Sequence, residues 1–112
     1  MERGDFIRTM DTCLMKASLG DTWPFSPDGN DKSAFYLDND GFLVFHAVQI
    51  PYNIDSVERI KYGYWFNDDR YIALDMTDGS RLRIGKRQNE AYVLLQKGKA
   101  DDIVLYKAQL ND

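Results

Sequence analysis

Between Ala34 and Ile84 the chain changes character every few residues. Short stretches rich in β-branched and aromatic side chains alternate with the turn signals Asp38-Asn39-Asp40-Gly41, Asn67-Asp68-Asp69 and Asp78-Gly79. Asn, Asp and Gly tolerate the positive φ that tight hairpins need. The run therefore predicts strands over Ala34–Leu37, Phe42–Ile50, Val57–Phe66, Tyr71–Thr77 and Arg81–Lys86, with Pro51 ending the second and Ile54-Asp55-Ser56 forming a turn. Alternation assigns the faces. Ile60, Tyr62, Tyr64 and Phe66 share one side of their strand, and Arg59, Lys61, Gly63 and Trp65 share the other. Ile72, Leu74, Met76, Leu82 and Ile84 point inward, and Arg81 and Arg83 outward. So many short strands joined by tight turns fold into a strongly bent antiparallel sheet.

The flanks read differently. Phe6, Ile7, Met10, Cys13, Leu14 and Ala17 recur at helical spacing, which predicts a helix over residues 5–19 with Asp5 as N-cap and Gly20 as its stop. A strand over Thr12–Leu19 competes, since Cys13, Met15, Ala17 and Leu19 alternate. Residues 20–33 form a loop broken by Trp23-Pro24 and Ser26-Pro27, with Trp23 and Phe25 folding back onto a core edge. Tyr92-Val93-Leu94-Leu95 and Ile103-Val104-Leu105-Tyr106 fit either a hairpin or two short helices, so residues 88–110 stay open. The expectation is one α+β domain spanning residues 1–112: helix and loop over 1–33, a strand-rich core over 34–86, and a helix or hairpin over 87–112.

The segment Phe35-Tyr36-Leu37-Asp38-Asn39-Asp40-Gly41-Phe42-Leu43-Val44-Phe45, followed by Ile50-Pro51-Tyr52-Asn53-Ile54-Asp55-Ser56-Val57, resembles bacterial PH-like and GRAM-like domains. Their pattern is a Tyr-Leu-turn-Leu hairpin, then an Ile-Pro segment with spaced apolar residues. A hairpin like that around Asp78-Gly79 comes next, and then a helix that plugs the barrel. The resemblance covers roughly residues 34–95. It implies a PH-like half-open barrel with one or two helices, and a binding module. The chain departs from the pattern at its helical N-terminal segment, where such domains usually supply a strand, and in its long apolar tail after Gly98.

Composition narrows the function. The net charge of −4 disfavours a nucleic-acid binder, which usually carries a basic surplus. The charge is uneven: residues 1–80 hold 7 Lys/Arg against 14 Asp/Glu, and residues 81–112 hold 7 against 4. The single cysteine, Cys13, excludes an internal disulfide and any multi-cysteine zinc site. No stretch has the length and apolarity of a transmembrane helix, and no signal-peptide pattern opens the chain, so a cytoplasmic location is expected.

Chemistry is sparse. His46, the only histidine, lies on the strand phase of Phe42, Val44, Val48 and Ile50, as a core-facing residue would. The acidic turns lack the Gly and Glu of a calcium loop: counting from Asp28, positions 6 and 12 are Ser33 and Asn39, and from Asp38 they are Leu43 and Gln49. Asp68-Asp69 and Asp101-Asp102 read as turn and cap carboxylates. There is no phosphate loop, no nucleophile elbow and no spacing that implies a cofactor or metal. The remaining constellation is a sheet face carrying Arg59, Lys61, Trp65, Tyr71, Arg81 and Arg83, with Asp75 and Glu58 near enough to neutralise neighbours. It predicts a non-enzymatic interaction module that contacts a protein partner or an anionic ligand such as phosphate or a lipid headgroup. The alternative is an acidic bacterial or phage immunity-type inhibitor whose Asp-rich turns fill the basic site of a toxin or nuclease. A bare sheet edge, at Ala34–Leu37 or the last strand, is also suited to pairing with a second copy.

Overall fold

Helix α1 (Arg3–Lys16) opens the chain in a computed structural model that describes residues 1–20, 23–45, 47–64 and 69–109, with Tyr64 through its backbone only. Phe6, Met10, Cys13 and Leu14 fall at i, i+4, i+7 and i+8, and all four are buried. Asp5 in the first turn and Lys16 in the last complement the helix dipole. The expected boundaries move. Glu2, not Asp5, holds the N-cap position, and the helix ends before Gly20. Ser18 takes the left-handed conformation (φ 57°), and the Leu19 N–H reaches back to Leu14 O at 2.8 Å while its side chain is buried. That arrangement satisfies the last carbonyls, so no glycine is needed. The competing strand over Thr12–Leu19 does not form.

Among the described residues, eight strands follow in two antiparallel sheets. The first has the order β1 (Phe35–Leu37), β2 (Phe42–Phe45), β3 (Val48–Asn53). The second has the order β4 (Val57–Tyr64), β5 (Arg70–Met76), β6 (Arg81–Arg87), β7 (Glu90–Gln96), β8 (Ile103–Gln109). A 3-10 turn at Ile54–Ser56 joins the sheets, with Asn53 Oδ1 accepting from the Asp55 N–H. The fold is thus α+β, and among the described residues no ladder closes the two sheets into a barrel.

Several sequence expectations change in this frame. The segment Phe42–Ile50 is two strands, not one, because the chain reverses at Ala47 (φ 62°) and pairs Phe45 with Val48. The proposed continuous face around His46 is therefore broken, and His46 itself lies outside the described residues. Pro51 sits inside β3 instead of ending a strand. It is tolerated because β3 is an edge, where a missing N–H leaves no ladder bond unmade. Residues 90–109 form the β7–β8 hairpin. The C-terminal helix that the PH-like resemblance implied is absent there, and the only helix longer than one turn among the described residues is α1.

The hairpin expectations hold at Asp38–Gly41 and Asp78-Gly79, while Asn67 and Asp68 of the third expected turn lie outside the described residues. Asp38 Oδ1 accepts from the N–H groups of Asp40 and Phe42, both at 2.9 Å, and Gly41 supplies a φ of 85°. At the β5–β6 turn the Gly79 N–H donates to Met76 O at 3.0 Å, and Gly79 has φ 88°.

One apolar core serves both sheets and the helix. Ile72, Leu74, Met76, Leu82, Ile84, Val93 and Leu95 line the inner face of the second sheet, against Phe35, Leu37, Leu43 and Phe45 of the first and the buried stripe of α1. Trp23 is the keystone. It is 2% exposed, its ring centroid lies 4.3 Å from that of Phe45, and its Nε1–H donates to Gly85 O at 3.0 Å. Gly85 is required at its site: an added Cβ would lie 2.3 Å from Arg70 O and 2.7 Å from Tyr92 Oη. Equilibrium denaturation should show Trp23→Ala losing about 3–5 kcal/mol. Trp23→Phe, which keeps the ring but loses the donor, should lose about 1–2 kcal/mol. Gly85→Ala should fall at the upper end of the overpacking range, about 3 kcal/mol.

Candidate functional site

Directly opposed residues in antiparallel strands share a face, so the register of β4 to β7 turns scattered cations into rows. The first row reads Arg59–Asp75–Arg81–Gln96, the second Lys61–Ala73–Arg83–Leu94, and the third Gly63–Tyr71–Gly85–Tyr92. Arg59, Lys61, Tyr71, Arg81 and Arg83 thus come together on the outer face, as the alternation predicted. Trp65 lies outside the described residues, so its pairing with Tyr71 does too.

The cations differ in state. Asp75 is held between Arg81 Nε (2.7 Å) and Lys61 Nζ (3.3 Å). Partial burial pushes its carboxyl up, but the bonds and charge of Arg81, then of Lys61, outweigh burial and hold it below the usual carboxylate range. Arg83 is not the solvated cation expected. It is 8% exposed and pairs with Asp102, which reaches it from the segment before β8. Asp102 is therefore an ion-pair partner, not the cap carboxylate that its sequence context suggested. Arg59 has no ion-pair partner among the described residues. It lines an open depression of about 310 Å³ at the Asp78-Gly79 end of the face, together with Glu58, Asp75, Ser80, Arg81, Gln96 and Gly98.

Two features of this face escaped sequence reasoning. The tip of the Tyr71 side chain lies 2.7 Å from where a Cβ on Gly63 would sit, so the ring covers a residue with no side chain of its own. Asp69, read as a turn residue, is buried, and it accepts from Tyr92 Oη–H at 2.6 Å and Arg87 Nε–H at 3.1 Å. Burial, then the bond and charge of Asp69, push the Tyr92 hydroxyl far above its ordinary value, so it stays a neutral donor. The triad locks the end of the sheet. Its signal is the β5–β6–β7 register, legible only once residues 90–96 are known to be a strand beside β6.

The acidic turns are internally engaged. Asp28 accepts from Asn30 and Ser26, Asp31 from Ser33, and Asp38 from Phe42, Asp40 and Gln49. Among the described residues no group of three or more His, Cys, Asp or Glu is arranged to hold a metal ion, and no helix is long and apolar enough to cross a membrane. No protein family, curated protein or solved structure matches the chain.

A carboxyl whose folded pKa is lowered stabilises the fold above its unfolded value of about 3.9. That contribution vanishes as pH falls through the lower folded value. Asp75→Asn should cost about 1 kcal/mol at neutral pH by urea denaturation. The variant should then lose less further stability than the wild type as pH drops below about 4. Equal acid sensitivity of the two proteins would mean that Asp75 is not coupled to its cations.

Proposed function

We propose that this protein is a non-enzymatic interaction module of PH-like, half-open architecture that docks an acidic patch of a partner protein on the outer face of its second sheet. The observation that carries the reading is Arg59: an exposed guanidinium with no ion-pair partner among the described residues, beside Arg81 in an open depression. The rest of the face argues for a protein surface over a lone phosphate or lipid headgroup. Lys61 and Arg81 share Asp75, Arg83 has Asp102, and Arg87 has Asp69. A small anion beside Arg59 would also meet Asp75 and Glu58 in the same depression, whereas a partner surface can oppose each sign with its complement. The PH-like assignment is supported by the β1–β2 hairpin, the Ile50–Val57 connection, and two antiparallel sheets around one core.

The test is an NMR titration of the full chain with a glutamate-rich peptide at low ionic strength. Amide shifts should concentrate at Arg59, Lys61, Ser80 and Arg81. Arg59→Glu should weaken binding about tenfold, equivalent to roughly 1.4 kcal/mol. Arg59 is the right position because Arg81→Glu or Arg83→Glu would also break a native ion pair. Shifts elsewhere, or binding indifferent to Arg59→Glu, would overturn the reading. Tighter binding of inorganic phosphate than of the peptide would favour the small-anion alternative.

A further inference from the structure

Most cations of the second sheet have a carboxylate of their own. Lys61 and Arg81 share Asp75, Arg83 has Asp102, Arg87 has Asp69, and Lys107 has Glu90. Arg59 lacks one but is exposed, so water solvates it. Arg70 and Lys86 are in a different position. They are directly opposed in the β5–β6 ladder. Such residues share a face, with Cβ atoms about 5 Å apart. Both fall on the phase of Ile72 and Ile84, two residues away along each strand, so they end the inner face at the rim of the core.

Both side chains are half-buried, and neither has an ion-pair or hydrogen-bond partner among the described residues. The row continues into Ala91 of β7 and Ala108 of β8, which carry no acceptor in their side chains. The Nε–H of Arg70 is shielded from solvent and unbonded, so its guanidinium has neither a protein acceptor nor full hydration there, while its terminal nitrogens stay open to solvent. Like charges directly opposed across a ladder repel, and a shielded donor without an acceptor costs free energy. An anion from solution removes the first cost and offsets the second.

We propose that Arg70 and Lys86 form a binding site for a phosphate dianion, free or as a phosphomonoester. Two cations match two negative charges, whereas a carboxylate would leave one of them uncompensated. The open fork of Arg70 can donate to two phosphate oxygens in parallel, and the Lys86 ammonium, on its flexible stem, can reach a third. The apolar rim formed by Ile72 and Ile84 weakens screening by water and strengthens each contact. This site lies on the opposite face of the sheet from Arg59 and does not rest on the reading given for that residue.

Thermal melts of the full chain at mildly alkaline pH, with ionic strength held constant by chloride, test this. Inorganic phosphate should raise the melting temperature saturably above the chloride baseline, and acetate should not. Lys86→Gln should raise the baseline, because it relieves the repulsion, and should weaken phosphate binding about tenfold, as should Arg70→Gln. Lys86→Arg should keep the binding, and Arg59→Glu should leave it unchanged. NMR shifts in the wild type on adding phosphate should concentrate at the Arg70 and Lys86 amides and at the Arg70 Nε–H. Tighter binding of O-phosphoserine than of inorganic phosphate would assign the site to a phosphomonoester, and the reverse order to free phosphate. No gain over chloride, an equal gain from acetate, a gain that survives both Gln variants, or wild-type shifts away from Arg70 and Lys86 would overturn the proposal.

Discussion

The contact of Trp23 with Gly85 ties the architecture together. It joins a loop that has little regular structure to the middle strand of the larger sheet, through a buried indole donor and a carbonyl at 3.0 Å. A buried indole N–H left without a partner would cost more than its bond contributes, so the loop is committed to this path. With the loop in place, Phe25 and its neighbours bond the open side of β1, and Phe45 stacks between Trp23 and Tyr106. Gly85 makes the same region possible from the other side, by letting the backbone of β5 and the Tyr92 hydroxyl approach closely.

The outer face follows from the register this core imposes. Inner positions are filled with Ile, Leu, Met and Val, which fixes the phase of every strand, because a one-residue slip would turn those side chains to water. Arg59, Asp75 and Arg81 then fall in one row without further constraint. What distinguishes Arg59 from the other cations is the location of acids. Asp75, Asp102 and Asp69 each neutralise a neighbour, and among the described residues none pairs with Arg59.

The parts of the fold that were legible in sequence are those whose apolar residues keep a strand or helix period. In β5 and β6 apolar residues alternate with polar or small ones, although Ala73, Arg83 and Gly85 on the outer phase are buried as well, and Asp78-Gly79 marks their turn. The stripe of α1 has an unbroken helical period. The C-terminal hairpin was not legible because Ala91–Leu95 of β7 are buried on both faces, which erases alternation, and because a bulge shifts the phase of β8 near Leu105. Pro51 misled because edge position, which licenses it, is a property of the sheet and not of the local sequence. The same holds for the site. Alternation found the cations, but the partners of Arg83 and Arg87 lie 19 and 18 residues away in sequence and emerge only with tertiary structure.

If the Trp23–Gly85 junction organises the fold as argued, the indole N–H of Trp23 opens only when the core opens. Hydrogen exchange of that proton, followed by NMR alongside the backbone amides of β5 to β7, measures this directly. The indole N–H should be protected to the same extent as the slowest β6 amides, with both tracking global unfolding as denaturant is added. An indole proton that exchanges on the faster timescale of the surrounding loop, while β6 stays protected, would show that the loop detaches independently and that the junction is not what holds the sheets together.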